Sequence, residues 1–327
     1  MNSEIKSIGV FTSGGDSPGM NAAIRAVVRT GLYYGRKVFG IHRGYEGLID
    51  GEIEEMKSYS VSGIIHRGGT ILKTARSPRF MTKEGRAEAF NQLKKHGIDG
   101  LIALGGDGTF KGAVEFNADH NVPFIGIPCT IDNDLFGTDF TIGYDTAINT
   151  AMEAIDKIRD TAAAHNRLFF VEVMGRDAGF IAMRAGIATG AEAILIPESK
   201  LSIDQLIDKL ETGWERQKSS CIVVVAEGDE EGGAFQVAEK VKQRFNFYDT
   251  RVSVLGHMQR GGNPSCSDRV LASRLGLAAV ESLLEGKKNV MVGSMNNEIV
   301  YTPFEKAAKH HLEVSPYLTM LAEVLAT

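Results

Sequence analysis

The sequence predicts an α/β protein made of two Rossmann-like, three-layer domains with mostly parallel sheets. Short runs rich in Val, Ile and Leu alternate with longer amphipathic stretches along most of the chain, as strands and crossover helices do. The chain has 327 residues, more than one domain usually reaches before its core splits. Its hydrophobic fraction of 43% and charged fraction of 24% are those of globular proteins.

The same alternation places the elements in order. In the first part we predict strands at 5–12, 37–42, 100–104 and 123–128. Helices are predicted at 18–34, 83–96 and 144–163, the first with Pro18 near its start, where proline is favoured. In the second part the predicted strands are 168–173, 193–197, 221–226 and 251–255. No Pro- or Ser-rich linker marks a boundary between the parts.

Composition argues against several classes of protein. No apolar run approaches the roughly 20 residues that span a bilayer, and the N-terminus lacks the regions of a signal peptide. We therefore expect a cytoplasmic protein. A formal net charge of -5 disfavours binding to nucleic acid. The cysteines Cys129, Cys221 and Cys266 form no C-x-x-C pair and are expected to be reduced thiols, not disulfides or zinc ligands.

Two glycine-rich segments each follow a predicted strand and precede a helical stretch. Residues 12–19 read T-S-G-G-D-S-P-G, and residues 104–109 read L-G-G-D-G-T. Their glycines allow a phosphate to approach backbone N–H groups, and a helix N-terminus favours its negative charge. Asp107 stands where a Mg²⁺ ion could bridge phosphate oxygens. A tight turn without a ligand, or an N-cap role for Asp107, is the alternative.

Residues 128–134, P-C-T-I-D-N-D, also follow a predicted strand. The carboxylates of Asp132 and Asp134 can point into one cleft, where one of them could accept the proton of an attacking hydroxyl. Phosphoryl transfer needs such a base together with charge neutralisation. An Asx-turn is the structural alternative.

A further set of polar residues lies near the ends of later strands. Arginines bind a sugar phosphate through paired hydrogen bonds, and a glutamate could accept hydrogen bonds from sugar hydroxyls. Most single arginines are solvated, and a lone histidine is more often structural, so the prediction depends on the clustering. The set comprises Arg167, residues 174–176, Glu227, Arg251 and residues 257–262.

Together these motifs resemble the bacterial-type ATP-dependent 6-phosphofructokinase family. T-S-G-G-D-S-P-G-M-N-A, G-G-D-G-T, T-I-D-N-D, V-E-V-M-G-R and L-G-H-M-Q-R-G-G occur in the family's order and close to its spacing. The resemblance implies the phosphofructokinase fold and a glycolytic kinase that uses ATP and Mg²⁺ to phosphorylate the 1-hydroxyl of fructose 6-phosphate. It also implies an ATP-binding domain at 1–143 plus 259–309 and a fructose 6-phosphate-binding domain at 144–258 plus 310–327.

The resemblance assigns a role to each matching position. Asp132 would be the general base, Thr130 and Arg176 would flank the transferring phosphoryl group, and Asp107 would serve Mg²⁺. The residues expected to contact ATP are Gly15, Arg76, Ser77, Gly106, Asp107, Gly108 and Thr109. Those expected to bind the sugar phosphate are Thr130, Asp132, Asp134, Arg167, Met174, Gly175, Arg176, Glu227, Arg251, His257 and Arg260. Arg167 and Arg251 would come from a neighbouring subunit, in active sites shared within a homotetramer.

A second nucleotide site at a subunit interface is also implied, with ADP or phosphoenolpyruvate as effector. Arg25 and Arg29 are four residues apart, on one face of a predicted helix, where they could grip a diphosphate. Ser58 and Gly63 stand where well-studied regulated members carry Arg and Asp, so we expect a weakened effector response. The matching positions are Arg25, Arg29, Arg159, Glu192, Arg216 and Lys218.

Two positions bear on the phosphoryl donor. Gly108 agrees with ATP-dependent members, because pyrophosphate-dependent relatives place there an Asp that obstructs the nucleotide. Cys129 is neutral, since ATP enzymes usually have Gly at this position and pyrophosphate users have Lys. ATP is the predicted donor, and a pyrophosphate-dependent fructose 6-phosphate phosphotransferase is the alternative. A catalytically silent, nucleotide-sensing subunit is a further alternative. The presence of Asp107, Asp132 and Arg176 together argues against it.

Overall fold

The computed structural model describes residues 5–165, 167–199, 201–216, 218, 220–307 and 314–326. The chain forms two compact units, Met1–Thr146 with Arg260–His310 and Ala147–Gln259 with His311–Thr327. Each unit therefore combines two separate stretches of the chain. Which ligand each unit binds stays a prediction. No helix among the described residues is long and apolar enough to cross a membrane.

Strands and helices alternate along the described chain. The strands are β1 (Ser7–Thr12), β2 (Lys37–Ile41), β3 (Ile53–Met56), β4 (Gly100–Gly105), β5 (Phe124–Pro128), β6 (Arg167–Val173), β7 (Ala193–Leu195), β8 (Cys221–Ala226), β9 (Asp249–Val254), β10 (Val290–Met295) and β11 (Glu298–Pro303). The helices are α1 (Met20–Tyr33), α2 (Gly44–Asp50), α3 (Lys83–His96), α4 (Asp107–His120), α5 (Tyr144–Ala163), α6 (Phe180–Thr189), α7 (Ile203–Glu215), α8 (Ala234–Lys242), α9 (Cys266–Leu284), α10 (Phe304–Ala307) and α11 (Pro316–Leu325). Short 3-10 helices span Ser58–Val61, Arg79–Met81 and Gly256–Arg260.

The first unit is built on a seven-stranded sheet in the order β11-β10-β5-β4-β1-β2-β3. β1 pairs in parallel with β2 on one side and with β4 on the other, and β5 follows β4 in the same direction. The outer strands β3 and β11 run antiparallel to their neighbours. The chain thus builds the sheet outward from β1 in both directions. Open α/β sheets bind ligands at such a reversal of strand order.

Apolar side chains cover both faces of this sheet. On one face, Ile24 of α1 and Leu275 of α9 belong to the core that buries Val10. On the other face, Phe110 and Phe116 of α4 pack in a second core. Every residue of β1, β4 and β5 is buried, as expected for central parallel strands covered by helices. The loops that follow these three strands are therefore anchored in a rigid core.

The second unit contains a four-stranded sheet in the order β7-β8-β6-β9, with every pair parallel. All residues of β8 are buried. Leu206 and Leu210 of α7 and Val237 and Val241 of α8 pack against the sheet in one core. This core fixes the ends of β6 and β8, where several of the predicted sugar-binding residues lie.

The predicted fold class is confirmed, and each predicted strand and helix is present with small differences at its ends. The placement of Pro18 inside the first helix was wrong. Helix α1 begins at Met20, and Gly19 before it has a left-handed backbone with φ 108°. Pro18 therefore lies before the helix, because a glycine at positive φ separates it from the first turn.

Candidate active site

Three loops meet in the first unit at the carboxyl ends of β1, β4 and β5. The Ser13 N–H donates to a carbonyl of β4 (2.9 Å), and the Cys129 N–H donates to the Gly105 carbonyl (2.9 Å). A Cβ on Gly105 would lie 2.6 Å from the Ser13 carbonyl oxygen, and one on Gly106 would lie 3.7 Å from the Thr130 Cβ. The three segments predicted to serve phosphoryl transfer are therefore neighbours at the reversal of strand order.

Helix α4 begins inside the second glycine-rich segment. Gly106 is its N-cap and Asp107 its first residue, so the N-cap alternative for Asp107 is wrong. The Lys111 ammonium group donates to the Asp107 carboxylate (2.8 Å) one turn later. Around Gly108, the described part of the chain places no atom outside the helix's own nearby backbone within 4 Å of the position that a Cβ would take. A ligand can therefore approach the helix N-terminus here without meeting a side chain.

Thr109 brings a polar group to the same place. Its side-chain hydroxyl is buried and has no hydrogen-bond partner among the described residues. The hydroxyl oxygen lies 2.3 Å from the position of a Cβ on Gly105 and 3.7 Å from that of a Cβ on Gly14. It thus sits between the two glycine-rich segments. Buried hydroxyls are normally paired, so this one fits a ligand oxygen such as that of a phosphate.

Asp107 is the residue predicted to serve a metal ion. A Mg²⁺ ion that also binds nucleotide phosphates needs only one or two protein carboxylates. Within the described part of the chain, no group of three or more His, Cys, Asp or Glu side chains could hold a metal ion. One carboxylate beside an accessible helix N-terminus fits an ion that arrives with a polyphosphate, and does not fit a metal site made by protein alone.

The loop after β5 carries two buried carboxylates. Asp132 is 2% exposed and Asp134 is 6% exposed. The Asp132 N–H donates to the Thr130 hydroxyl (3.2 Å), which closes a tight turn. Asn133 between the carboxylates has φ 53°, a left-handed conformation that asparagine tolerates better than most residues. The turn thus places both carboxylates away from bulk water, in the loop whose Thr130 lies beside Gly106 at the start of α4.

Cys129 joins β5 to this loop. It is 1% exposed, and burial raises the pKa of its thiol well above the ordinary value. A neutral thiol is therefore the form present at physiological pH. Its packing in the same core as Ile127 and Ile142 makes it a small apolar residue at the end of the strand.

Arg76 and Ser77 follow a segment that is tied to the end of β1. The Thr12 hydroxyl donates to the Lys73 carbonyl (2.8 Å). The Ser77 hydroxyl donates to the Glu46 carboxylate (2.5 Å), while Arg76 is exposed. The hydrogen bond from Thr12 therefore anchors the Arg76 segment beside the first glycine-rich loop.

Arg260 contacts that first loop directly. Its Nη1 donates to the Asp16 carbonyl (3.3 Å) and lies 2.8 Å from the position of a Cβ on Gly15. The structure thus places Arg260, predicted to bind the sugar phosphate, against a residue predicted to contact ATP. His257 lies earlier in the same 3-10 helix, Gly256–Arg260, where it is exposed and belongs to the second unit.

In the second unit, Glu227 organises the turn that follows β6. Its carboxylate accepts hydrogen bonds from the Gly175 N–H (3.2 Å) and the Arg176 N–H (2.7 Å). Both residues have positive φ, 144° for Gly175 and 54° for Arg176. Met174 is buried and the Arg176 side chain is exposed. The structure therefore brings these four predicted residues together, with a charged acceptor holding the turn.

Arg167 and Arg251 meet near the amino end of the same sheet. Strands β6 and β9 are parallel, with Arg167 beside Asp249. The Asp249 carboxylate lies 3.3 Å from Arg167 Nε and 2.7 Å from Arg251 Nη2. The shared carboxylate thus holds the two guanidinium groups close to each other. Because Arg167 opens the 7-residue strand β6 and Gly175 follows its end, roughly 20 Å separates the arginine pair from the Glu227 turn.

The residues predicted to bind an effector fall into two groups. On α1, burial and the nearby guanidinium of Arg29 lower the pKa of Arg25. Two like charges held this close, with one partly buried, favour an anionic ligand. Ser58 and Gly63 are both exposed, and Gly63 has φ 67°.

The other effector residues lie in the second unit. Arg159 is 3.8 Å from the Glu192 carboxylate, and the Lys218 ammonium group donates to the Ala326 carbonyl (3.2 Å). A cavity of about 130 Å³ lies between α7 and the end of α11. The structure therefore places three of the four predicted residues of this unit around one small cavity, and the fourth, Arg159, lies beside Glu192. Its lining includes Glu192, Arg216 and Lys218.

Three residues that position these groups were missed in the sequence: Asn133, Thr141 and Asp249. The signal for Asp249 was available, because residues two apart on a strand share a face and Asp249 precedes Arg251 by two. Asn133 stood inside the T-I-D-N-D motif without a role. Thr141 had no local signal, since the loop residues that it contacts, Asn133 and Thr130, are eight and eleven residues away in the chain.

Comparison with known sequences identifies relatives along nearly the whole chain. The family model described as Phosphofructokinase matches residues 7–283. A Bacteroides thetaiotaomicron protein named ATP-dependent 6-phosphofructokinase 2 is 56% identical over 322 residues, which cover 98% of this chain and 99% of that protein. A Thermus thermophilus protein named ATP-dependent 6-phosphofructokinase 1 is 54% identical over 98% of this chain and 100% of that protein.

Solved structures show the same fold. Phosphofructokinase from Saccharomyces cerevisiae has a TM-score of 0.88 and 37% identity over 98% of this chain, which spans 48% of the yeast chain. Pyrophosphate-dependent phosphofructokinase from Marinobacter aquaeolei has a TM-score of 0.84 and 24% identity over 99% of this chain and 92% of that chain, a similarity that shows the fold alone. By its sequence match and its fold, the chain belongs to the phosphofructokinase family.

Proposed function

We propose that this chain transfers the γ-phosphoryl group of ATP to the 1-hydroxyl of fructose 6-phosphate, giving fructose 1,6-bisphosphate and ADP. The observation that carries this proposal is the meeting of three loops at the carboxyl ends of β1, β4 and β5. Relatives at 54–56% identity over nearly the whole chain are named ATP-dependent 6-phosphofructokinases. The activity is that of a glycolytic phosphotransferase with an alcohol acceptor, and we place it in the cytoplasm on that basis.

Asp132 is proposed as the general base. Its carboxylate accepts the proton of the 1-hydroxyl as the sugar oxygen bonds to the γ-phosphorus and the bond to the bridging oxygen of ADP breaks. The turn closed by Thr130 fixes the carboxylate, and its 2% exposure keeps competing water away. Phosphoryl transfer rather than hydrolysis is the expected consequence.

Charge neutralisation is assigned to several groups. Mg²⁺ bound with ATP would neutralise the phosphate oxygens, and Asp107 is the residue that would hold it. Gly15, Gly106, Gly108 and the Thr109 hydroxyl are proposed to receive the phosphates, with Arg76 and Ser77 beside the nucleotide. Arg176 is proposed to neutralise charge as it develops on the transferring group.

The sugar phosphate is assigned to groups that the structure prepares for anions and hydroxyls. Glu227 already accepts two backbone N–H groups and has further lone pairs for sugar hydroxyls. The other residues proposed for this substrate are Asp134, Met174, Gly175, His257 and Arg260.

Arg167 and Arg251 are proposed to bind the 6-phosphate of a substrate held by a neighbouring subunit. The distance of roughly 20 Å along β6 supports this, because one chain does not offer the pair and the Glu227 turn to the same small sugar. A homotetramer with shared active sites is the assembly that we propose.

Donor choice is the decisive test of the proposed function. We expect fructose 1,6-bisphosphate to form with MgATP and not with pyrophosphate when initial velocities are measured in parallel. The open space beside Gly108 supports ATP. Turnover with pyrophosphate alone would contradict the proposal, and no turnover with either donor would favour a nucleotide-sensing role.

The Gly108→Asp variant is the matched control for donor choice. Nothing within 4 Å obstructs a Cβ at this position, so the variant is expected to fold. Its carboxylate would repel the nucleotide phosphates at the helix N-terminus, and we expect KM for ATP to rise at least about tenfold. An unchanged KM would remove Gly108 as a donor determinant.

Effector control is proposed to be weak. Arg25 and Arg29 keep a place for a diphosphate, but Ser58 and Gly63 supply neither the cation nor the carboxylate of regulated members. We expect ADP to change the fructose 6-phosphate titration little, and the double variant Ser58→Arg with Gly63→Asp to respond more. Strong activation of the unmodified enzyme by ADP would contradict this prediction.

A further inference from the structure

Asn133 lies between Asp132 and Asp134 and has no role in the proposed reaction. Its backbone is left-handed with φ 53°, so the chain reverses between the two carboxylates. The side-chain amide makes three contacts outside the loop, one of them between its Oδ1 and the Thr141 hydroxyl (3.2 Å). Its Nδ2 donates to the Asp139 carbonyl (3.1 Å), and its Oδ1 accepts from the Thr141 N–H (2.7 Å). Asn133 therefore fastens the loop to residues 139–141.

Thr141 fastens the same loop at a second point. It is 0% exposed, and its hydroxyl donates to the Thr130 carbonyl (2.6 Å). The next residue, Ile142, donates its N–H to the Pro128 carbonyl (3.0 Å) at the end of β5. The proposed base is thus flanked by two residues, Thr130 and Asn133, that both bond to Thr141.

The segment that carries Thr141 is itself held rigidly. The Asp268 carboxylate accepts hydrogen bonds from the Gly143 N–H (2.8 Å) and the Thr146 N–H (2.8 Å). Asp268 is 1% exposed and sits in the first turn of α9, where the Ser265 hydroxyl accepts its N–H (3.2 Å). Asp268 therefore ties the segment that carries Thr141 to α9, and the hydrogen bonds of Thr141 tie that segment to the loop.

We propose that Thr141 and Asn133 are positioning residues that hold Asp132 in line with the hydroxyl it deprotonates. This inference rests on the proposed function. Displacement of a reacting group by about 1 Å can lower turnover by about 100-fold, because reaction needs near-attack geometry. Neither residue is among those proposed to bind ATP or the sugar phosphate. Loss of either contact is therefore expected to lower kcat without a matching change in KM.

The first test replaces Thr141 by valine, which keeps the shape and removes the hydroxyl. We expect kcat to fall by about 10- to 100-fold, with both KM values within about threefold of the parent enzyme. Thr141→Ser restores a hydroxyl at the same atom and is expected to recover most of the turnover. Equal kcat for the valine variant and the parent, or no recovery with serine, would overturn the proposal.

Thr138→Val is the matched structural control. Thr138 is a buried threonine of the same segment, 7% exposed, and its hydroxyl donates to the Phe140 carbonyl (2.8 Å) rather than to the loop. Thermal unfolding of Thr138→Val and Thr141→Val is expected to be similar, while only Thr141→Val loses kcat. Equal loss of kcat in both variants would mean a general packing effect and would overturn the proposal.

Asn133→Gly tests the other contact without a backbone penalty, because glycine adopts positive φ freely. The same fall in kcat with conserved KM values is expected, and a parental kcat would overturn the role of Asn133. The parent and Asp132→Ser are measured in the same assay. A slow Asp132→Ser with a fast Thr141→Val would overturn the positioning role alone, whereas an inactive parent enzyme would overturn the proposed function and this inference together.

Discussion

Replacement of Asp132 by serine is expected to lower kcat by about 10²–10⁴-fold, because the serine hydroxyl does not accept the proton that leaves the sugar. The Thr130 hydroxyl and the backbone of the turn remain in the variant, so the KM values for ATP and fructose 6-phosphate should change far less. Initial velocities at saturating substrate, followed through the fructose 1,6-bisphosphate formed, measure the effect.

Asp134→Ser is the control for this prediction. It makes the same chemical change in the same loop, at a carboxylate that is also buried. If Asp134 positions the sugar, its replacement should raise KM for fructose 6-phosphate more than it lowers kcat. A parental kcat for Asp132→Ser, with Asp134→Ser impaired instead, would exchange the two roles.

Replacement of Arg176 by alanine is expected to lower kcat by about 10²–10³-fold, since one donor to the developing charge is lost in the transition state. The turn itself should survive, because the Glu227 carboxylate accepts its hydrogen bond from the backbone N–H of residue 176, which the alanine variant keeps. Steady-state kinetics with thermal unfolding separates the two effects.

Arg176→Lys is the matched control for the alanine variant. Both variants place a non-glycine residue at φ 54°, so any strain of the turn is the same in each. Lysine keeps the charge but lacks the planar fork of the guanidinium group, and we expect an intermediate kcat. Equal turnover of the lysine and alanine variants would show that charge at this position does not contribute.

The central strands were predictable from sequence because they are uninterrupted apolar runs, buried on both faces of the sheet. Strands β3, β10 and β11 of the seven-stranded sheet were not predicted. The hairpin of β10 and β11 did leave a signal in the sequence, the pair Asn296 and Asn297. Both have positive φ, 49° and 69°, as a two-residue hairpin turn requires. Strand β3 has only 4 residues, with two exposed glutamates between an intermediate and a buried residue, which gives no alternating pattern to recognise.

Within the site, the sequence identified loops better than it identified their neighbours. Asp107 and Asp132 stood in recognisable segments after strands. The contact between Arg260 and the Asp16 carbonyl joins residues far apart in the chain, so no local sequence pattern predicts it. The same holds for the bond from Thr141 to Thr130, which depends on the return of the chain beside β5. Tertiary hydrogen bonds of this kind are set by topology, which a motif does not encode.

Two glycines of the second glycine-rich segment are required for different reasons. A Cβ on Gly105 would collide with the Ser13 carbonyl and the Thr109 hydroxyl, whereas among the described residues nothing beyond the local helix backbone lies within 4 Å of one on Gly108. Any change at Gly105 is therefore selected against by folding itself. If the ATP phosphates pass Gly108 as proposed, a single substitution there would change the choice of phosphoryl donor without rebuilding the protein around it.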